Sequence, residues 1–199
     1  MGEQEPGVSL EKSQLRNYVS RLRERLTSLE VEDKSSEILD QVLDLHEFLE
    51  AKTIACYVSK NNEVETRQLI RRALVQKKRV AVPMVNKDSL ELKFSEIKNL
   101  GAELAPGNFG VLEPRPEYVR PVGLAAIDVM LVPGIVWDHE GYRIGWGRGY
   151  FDRTLKMLPE TACSIGLGFD LQLIQHIPRS QFDVPVKIVV TESRMIRCK

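Results

Sequence analysis

A chain of 199 residues, 43% of them apolar, is long enough to bury one sizeable core, and it reads as a single domain over residues 1–199. Lys plus Arg equals Asp plus Glu at 28 each, so the zero formal net charge argues against a nucleic-acid or anionic-membrane partner and makes any anion site local. Cys56, Cys163 and Cys198 are too few and scattered for a disulfide framework or a zinc site, and no apolar run reaches the ~20 residues that span a bilayer, so a soluble protein of a reducing, cytoplasmic compartment is expected.

Residues 1–9, polar and containing Pro6, are expected to form a flexible N-terminus. Leu15, Tyr18, Leu22, Leu26 and Leu29 recur at spacings of three and four, which predicts an amphipathic helix from about Leu10 to Glu30 with its leucines inward. Lys12, Arg16 and Arg23 then share another face, and their spacing alone reads as a solvated basic surface. Ile38, Val42, Leu45 and Leu49 predict a second helix after the polar break at Asp33 to Ser36. Thr53 to Ser59 reads as a buried strand, Thr66 to Lys77 as a helix, Arg79 to Pro83 as a strand and Leu90 to Phe94 as a short alternating one. This rhythm predicts an α/β fold, with a mainly parallel or mixed sheet flanked by helices in a Rossmann-like three-layer arrangement. Gly101 to Pro121 carries too many prolines and glycines for a central element and is read as an irregular crossing near the site. Ile127 to Val132 is the strongest central strand. A glycine-rich loop, a helix from about Tyr150 to Leu158, and strands near Ser164 to Leu167, Lys187 to Val190 and Met195 to Arg197 complete the chain.

The densest chemistry lies between Arg143 and Arg153. Gly145, Gly147 and Gly149 lack Cβ atoms, which lets an anion approach the main-chain N–H groups. Arg143 and Arg148 can add charge-assisted hydrogen bonds, and Asp152 can hold the cation that accompanies a polyphosphate. The spacing matches neither G-x-x-x-x-G-K-[ST] nor G-x-G-x-x-G, so by composition alone a plain strand-to-helix connection is an equal alternative, and the flanking charges favour the anion. Glu63 and Glu65 flank Val64 beyond a strand, where alternate residues face the same way, although exposed acids in a turn are commoner. Tyr57, Tyr150 and Phe151 offer flat rings for stacking, with Phe109 a weaker candidate and core packing the ordinary alternative for each. His46, His139 and His176 lack metal-ligand spacing, and no serine or cysteine nucleophile elbow occurs.

Val132-Pro133-Gly134, Asp138, Gly141, Arg143 and the run from Gly145 to Arg153 together resemble the 5-formyltetrahydrofolate cyclo-ligases, also called 5,10-methenyltetrahydrofolate synthetases. The resemblance extends in the family's order through Lys12-Ser13-Gln14-Leu15-Arg16, Asn62-Glu63-Val64-Glu65-Thr66, Val80 to Pro83, Gly110 to Pro114, Asp183-Val184-Pro185 and Thr191-Glu192, nearly the whole chain. It implies an ATP- and Mg²⁺-dependent ligase that phosphorylates the formyl oxygen of a reduced folate, after which N10 attacks the activated carbon and phosphate leaves. By the same resemblance Lys12, Arg16, Arg143, Gly145, Gly147, Arg148, Gly149, Tyr150 and Phe151 meet ATP, with Arg143 and Arg148 catalytic. Tyr57, Glu63, Trp146 and Tyr150 meet the folate, and Asp152 and Asp183 hold Mg²⁺. Glu65 is read as supporting, and Arg23, which matches no family position, as structural. No obligate protein partner is implied. Phe151, Phe182 and Lys187 stand where Tyr, His and Asp are usual, leaving open a same-fold enzyme with another substrate or a non-catalytic folate or nucleotide binder.

Overall fold

Thr27 and Glu30 decide how the chain begins. In the structure, a computed structural model that describes residues 6–86 and 91–198, helix α1 (Pro6–Glu24) stops before them and α2 (Ser28–Leu43) starts after Thr27. The Glu30 N–H donates to Thr27 Oγ1 at 3.2 Å and the Thr27 N–H donates to Glu30 Oε2 at 2.8 Å. This capping box supplies partners for helix-end donors that would otherwise have none. The single helix expected from Leu10 to Glu30 is therefore two, and the polar stretch Asp33 to Ser36 lies inside α2. Of the N-terminus expected to be flexible, Pro6 to Ser9 form the first turn of α1, while residues 1–5 lie outside the described residues, as does Leu90 of the short strand.

The chain continues through α3 (His46–Glu50), β1 (Thr53–Cys56), α4 (Arg67–Val75), β2 (Arg79–Asn86) and β3 (Glu91–Ile97). The proline-rich crossing holds the short strands β4 (Leu104–Pro106), β5 (Leu112–Pro114) and the start of β6 (Pro121–Val122), with 3₁₀ turns at Asn108–Gly110 and Pro116–Tyr118 and neither a long helix nor a central strand, as its composition predicts. Then come β7 (Val129–Pro133), β8 (Val136–Asp138), β9 (Arg143–Ile144), α5 (Tyr150–Met157), β10 (Cys163–Leu167), β11 (Leu173–Ile174), β12 (Ile188–Val190) and β13 (Met195–Arg197).

Among the described residues the main sheet runs β13-β12-β10-β7-β1-β2-β3-β6. The five strands from β12 to β2 are mutually parallel, and β13, β3 and β6 pair antiparallel at the edges, so the sheet is mixed. Side chains alternate across it. Ile54, Cys56, Val80, Val82, Val129 and Leu131 join Ile38, Phe48 and Leu69 of the helices on one face. Ala55, Ala81, Met130 and Val132 meet Leu155 of α5 and Trp137 on the other. Each Val, Leu, Ile, Phe or Met side chain among them fully withdrawn from water contributes roughly 1.5–3 kcal/mol, so these two apolar layers carry the fold.

The topology also locates a crevice. From β1 the chain passes through α4 to β2 on one side, while β7 lies on the other side of β1. The connections after β1 and β7 diverge at their carboxyl ends, the place where open α/β sheets bind ligands. Helix α1 lies near this edge, with Val19 packed among Ile135, Val136, Ile144 and Ile177.

Candidate functional site

Glycines make the loop after β7 possible, and Gly134 in it, like Gly166 of β10, acts by removing bulk beside a ring. A Cβ on Gly134 would stand 2.5 Å from the Trp137 ring, and one on Gly166 only 2.3 Å from it. The fully buried indole donates to the Leu167 carbonyl at 3.1 Å, which fastens the β8–β9 hairpin to the sheet. Asp138 shapes the hairpin's turn: its Oδ1 accepts from the N–H groups of Glu140 and Tyr142, both at 3.0 Å, and its Oδ2 from Ile177 N–H at 3.2 Å. The returning strand carries Arg143 inward. Beyond it Gly147 (φ +87°) and Gly149 (φ +66°) take left-handed backbone angles that cost glycine little, and α5 begins directly after them.

Four segments bring charge to this loop. Arg16 Nε of α1 donates to the Gly145 carbonyl at 2.8 Å, and burial draws its guanidinium below the ordinary value. Lys12 forms a buried ion pair with Asp183, whose Oδ2 also accepts from Ser180 N–H at 2.7 Å. Arg143 donates from Nη2 to Asp152 Oδ1 at 3.0 Å and from Nη1 to the Val184 carbonyl at 2.9 Å. Asp152 Oδ1 accepts in addition from Val184 N–H at 3.3 Å, tying α5 to the segment that carries Asp183. Burial lowers the Arg143 guanidinium, opposed by the charges of Asp152 and Asp183.

The expected solvated basic face of α1 is thus overturned. Lys12 and Arg23 are only 5% and 6% exposed, whereas Leu10 and Tyr18 are 62% and 63% exposed. The physical reason is that a carboxylate and the carbonyls of Gly134 and Gly145 accept from the cations of α1, while among the described residues of the helix only Val19 and Leu15 join an apolar cluster. Arg143 departs from expectation too, since it braces Asp152 and Val184 rather than standing open toward an anion. Arg148 is exposed, its guanidinium 4.5 Å from the centre of the Phe109 ring.

A second wall follows β1. Glu63 sits in a tight turn, with its Oε2 accepting from Lys60 N–H at 3.1 Å. Burial pushes its carboxyl above the usual range, against the Lys60 N–H, the charges of Arg23 and Lys60, and the Trp146 side chain. Trp146, 58% exposed, comes from the glycine loop and receives the Lys60 ammonium 5.6 Å from its ring centre. The same ammonium donates to the Phe109 carbonyl at 3.0 Å, joining the proline-rich crossing to this wall. Tyr57 does not present a face to the crevice. Its ring is buried in the core and its hydroxyl donates to the Val64 carbonyl at 3.1 Å, because β1 stays covered on both sides beyond Cys56. Tyr150 and Phe151 are half-buried in the apolar layer under α5, and the buried Tyr150 hydroxyl finds no hydrogen-bond partner among the described residues. Glu65 is structural, accepting from Ser59 Oγ and Arg67 N–H, both at 2.7 Å.

The structure brings Lys12, Arg16, Glu63, Arg143, the loop from Gly145 to Phe151, Asp152 and Asp183 together at one edge, and puts Tyr57 in the core instead. The sequence reading passes over Lys60, takes Arg23 as structural although it shares a helix face with Lys12 and Arg16, and quotes Asp138 only as part of the family pattern, where the structure shows it building the hairpin turn. Lys187, one of the departures from the family pattern, donates to the Ala162 carbonyl at 2.8 Å and so belongs to the turn before β10. Among the described residues no three His, Cys, Asp or Glu side chains group as a metal site.

Residues 8–192 match the profile of the 5-formyltetrahydrofolate cyclo-ligase family. The chain is 27% identical to a 5-formyltetrahydrofolate cyclo-ligase of Haemophilus influenzae over 88% of this chain and 94% of that one. To a probable 5-formyltetrahydrofolate cyclo-ligase of Caenorhabditis elegans it is 29% identical, over 93% and 94% of the two chains. Its fold is similar to that of the 5,10-methenyltetrahydrofolate synthetase of Aquifex aeolicus, with a TM-score of 0.83, 31% identity and coverage of 94% and 93%. The corresponding synthetase of Mycoplasma pneumoniae shares the fold, with a TM-score of 0.74 at 23% identity, covering 92% of this chain and 99% of the other.

Proposed function

The chain belongs to the 5-formyltetrahydrofolate cyclo-ligase family, and we propose on that premise that it closes 5-formyltetrahydrofolate to 5,10-methenyltetrahydrofolate with ATP as co-substrate, releasing ADP and phosphate. The supporting observation is the convergence, at one edge of the sheet, of the Glu63 turn, the glycine loop, the inward basic face of α1 and the Asp183 segment.

In this reading ATP lies along the glycine loop, where the backbone of residues 145 to 149, the start of α5 and the cations Lys12, Arg16 and Arg148 meet its phosphates. Glu63 accepts hydrogen bonds from the reduced pterin ring, and Trp146 and Tyr150 border it. The γ-phosphoryl group passes to the formyl oxygen as the bond to ADP breaks. N10 then attacks the formyl carbon and loses its proton, and phosphate departs with the carbon–oxygen bonding pair. No side-chain nucleophile is needed; the protein's part is to align two substrates and oppose the transferring charge. Arg143 acts as a brace that fixes Asp152. The donor set suits Mg²⁺, since Asp152 and Asp183 are hard carboxylates flanking Arg143, and this ion usually takes its remaining ligands from phosphate and water. When bound there, Mg²⁺ supplies positive charge to the phosphate oxygens.

We place the reaction in the cytoplasm, on dissolved substrates. In support, Cys56, Cys163 and Cys198 are free thiols, and no helix among the described residues is long and apolar enough to cross a membrane. The test follows the ultraviolet absorbance of methenyltetrahydrofolate with purified protein, ATP, Mg²⁺ and 5-formyltetrahydrofolate. Appearance of the product with matching ADP release is expected; a flat trace from demonstrably folded protein overturns the reading.

A further inference from the structure

Arg23 is a nearly buried cation that the proposed reaction does not use. It lies on the inward face of α1, and among the described residues its side chain makes one hydrogen bond, a long one from Nη1 to the Gly134 carbonyl at 3.5 Å. A guanidinium carries five N–H donors, and burying one with so little hydrogen bonding is costly unless its charge is balanced nearby. The surroundings identify the balancing charge. The Asn62 side chain donates to the carbonyls of Arg23 and Leu26 at 3.1 and 3.0 Å, fastening the turn that holds Glu63 onto the C-terminal end of α1. Glu63 is the acidic side chain next along that turn, so the Asn62 bonds hold it beside the end of α1 that carries Arg23, and the charge of Arg23 opposes the effect of burial on its carboxyl.

We propose that Arg23 is a positioning residue for the folate site, the buried counter-charge that keeps the Glu63 carboxylate an acceptor for the N–H donors of a reduced pterin. The inference rests on the reading of Glu63 as pterin-binding and adds to it the group that sustains its charge. The arrangement needs such a group. Burial alone favours the neutral acid, which has lost acceptor capacity and gained a donor that the ring's N–H groups cannot use. The groups whose charge or hydrogen bonding bears on Glu63 are Lys60 of its own turn, Tyr57 just beyond β1, Trp146 of the glycine loop and Arg23 of α1. Of the two cations, Lys60 is shared with the Phe109 carbonyl and the Trp146 ring, whereas Arg23 is held inside the protein.

The experiment measures the dissociation constant of 5-formyltetrahydrofolate by calorimetry from pH 5 to 8 for the parent, Glu63→Gln, Arg23→Gln, Arg23→Met and Arg23→Lys. Comparison at each pH cancels the ligand's own titration. The neutral variants at position 23 should weaken binding on the order of tenfold at the acidic end, move the acid limb of the profile upward, and converge on the parent at alkaline pH. Arg23→Lys should follow the parent, and Glu63→Gln should be weak with a flat profile. Arg23→Gln and Arg23→Met profiles that superimpose on the parent overturn the proposal while Glu63→Gln still weakens binding. Unchanged affinity in Glu63→Gln removes instead the reading of Glu63. An Arg23→Lys profile that tracks the neutral variants, or folding of Arg23→Lys alone, overturns the counter-charge role as well, assigning Arg23 to guanidinium geometry or to stability.

Discussion

At the scale of single residues, burial separates cations that a sequence treats alike. Lys12 and Arg148 both carry charge to the glycine loop, but Lys12 is inside the protein against Asp183 while Arg148 stands in the open. Removing Lys12 leaves a mostly buried carboxylate with Ser180 N–H as its remaining donor among the described residues. Lys12→Ala is therefore expected to cost about 1–3 kcal/mol of stability by denaturant unfolding as well as to weaken ATP binding. Arg148→Ala should alter stability by less than about 0.5 kcal/mol, yet lower kcat on the order of a hundredfold, as expected of a charge acting mainly in the transition state. Equal stability losses in the two variants would contradict this division. Glu63 supplies the opposite case. Its folded carboxyl is raised by burial, so the folded state binds that proton more tightly than the unfolded one, and the protein loses stability as pH climbs through the interval between the ordinary and the raised value. Glu63→Gln lacks that loss. Its melting temperature relative to the parent should rise with pH across the acidic range and stay higher at neutrality, even as folate binding weakens; a parallel pair of stability–pH curves would exclude the raised carboxyl.

Elements place those residues, and one ring joins the loop-bearing hairpin to the sheet. Trp137 of β8 lies over Gly166 of β10 and Gly134, with its indole N–H on the Leu167 carbonyl. A methyl at position 166 would sit 2.3 Å from the ring, which is rigid and fully buried and cannot swing away. Gly166→Ala should cost about 1–3 kcal/mol by overpacking, and its activity should fall further than its stability because the hairpin carries Arg143 and leads into the glycine loop. A variant with parent-like unfolding would show that the indole can move. The sheet itself was legible because apolar runs such as Ile54 to Val58 and Val129 to Val132 can only be buried strands between helix layers, and breakers mark the crossing. What resisted reading was every decision made by a partner distant in sequence. The face that α1 turns inward depends on Asp183 and Gly145, well over a hundred residues away, so leucine spacing pointed the wrong way. Thr27 and Glu30, by contrast, stand three apart and spell a capping box that could have been seen. Tyr57 was misassigned because a ring in a strand looks the same whether it faces a ligand or a core.

Over the whole molecule these attachments differ in strength. The β1, β7 and β10 strands are covered on both faces, while α1 is tied down by the polar links Lys12 to Asp183, Arg16 to Gly145 and Arg23 to Gly134, with Val19 its one fully buried apolar anchor among the described residues. Segments with little buried apolar surface open locally at a lower free energy than the global one. Helix α1 should accordingly exchange its amide hydrogens faster than the central strands. A nucleotide that binds only when α1 is docked adds its own free energy to the closed form, about 2.7 kcal/mol at a hundred times its dissociation constant. That corresponds to roughly a hundredfold slower exchange in α1, with little change in β7 or β10. Hydrogen-exchange mass spectrometry with and without saturating ATP reads both effects at once. If α1 peptides are protected as strongly as the sheet without nucleotide, or gain nothing when ATP is added, then α1 is a fixed wall of the protein and its inward cations do not clamp the phosphates.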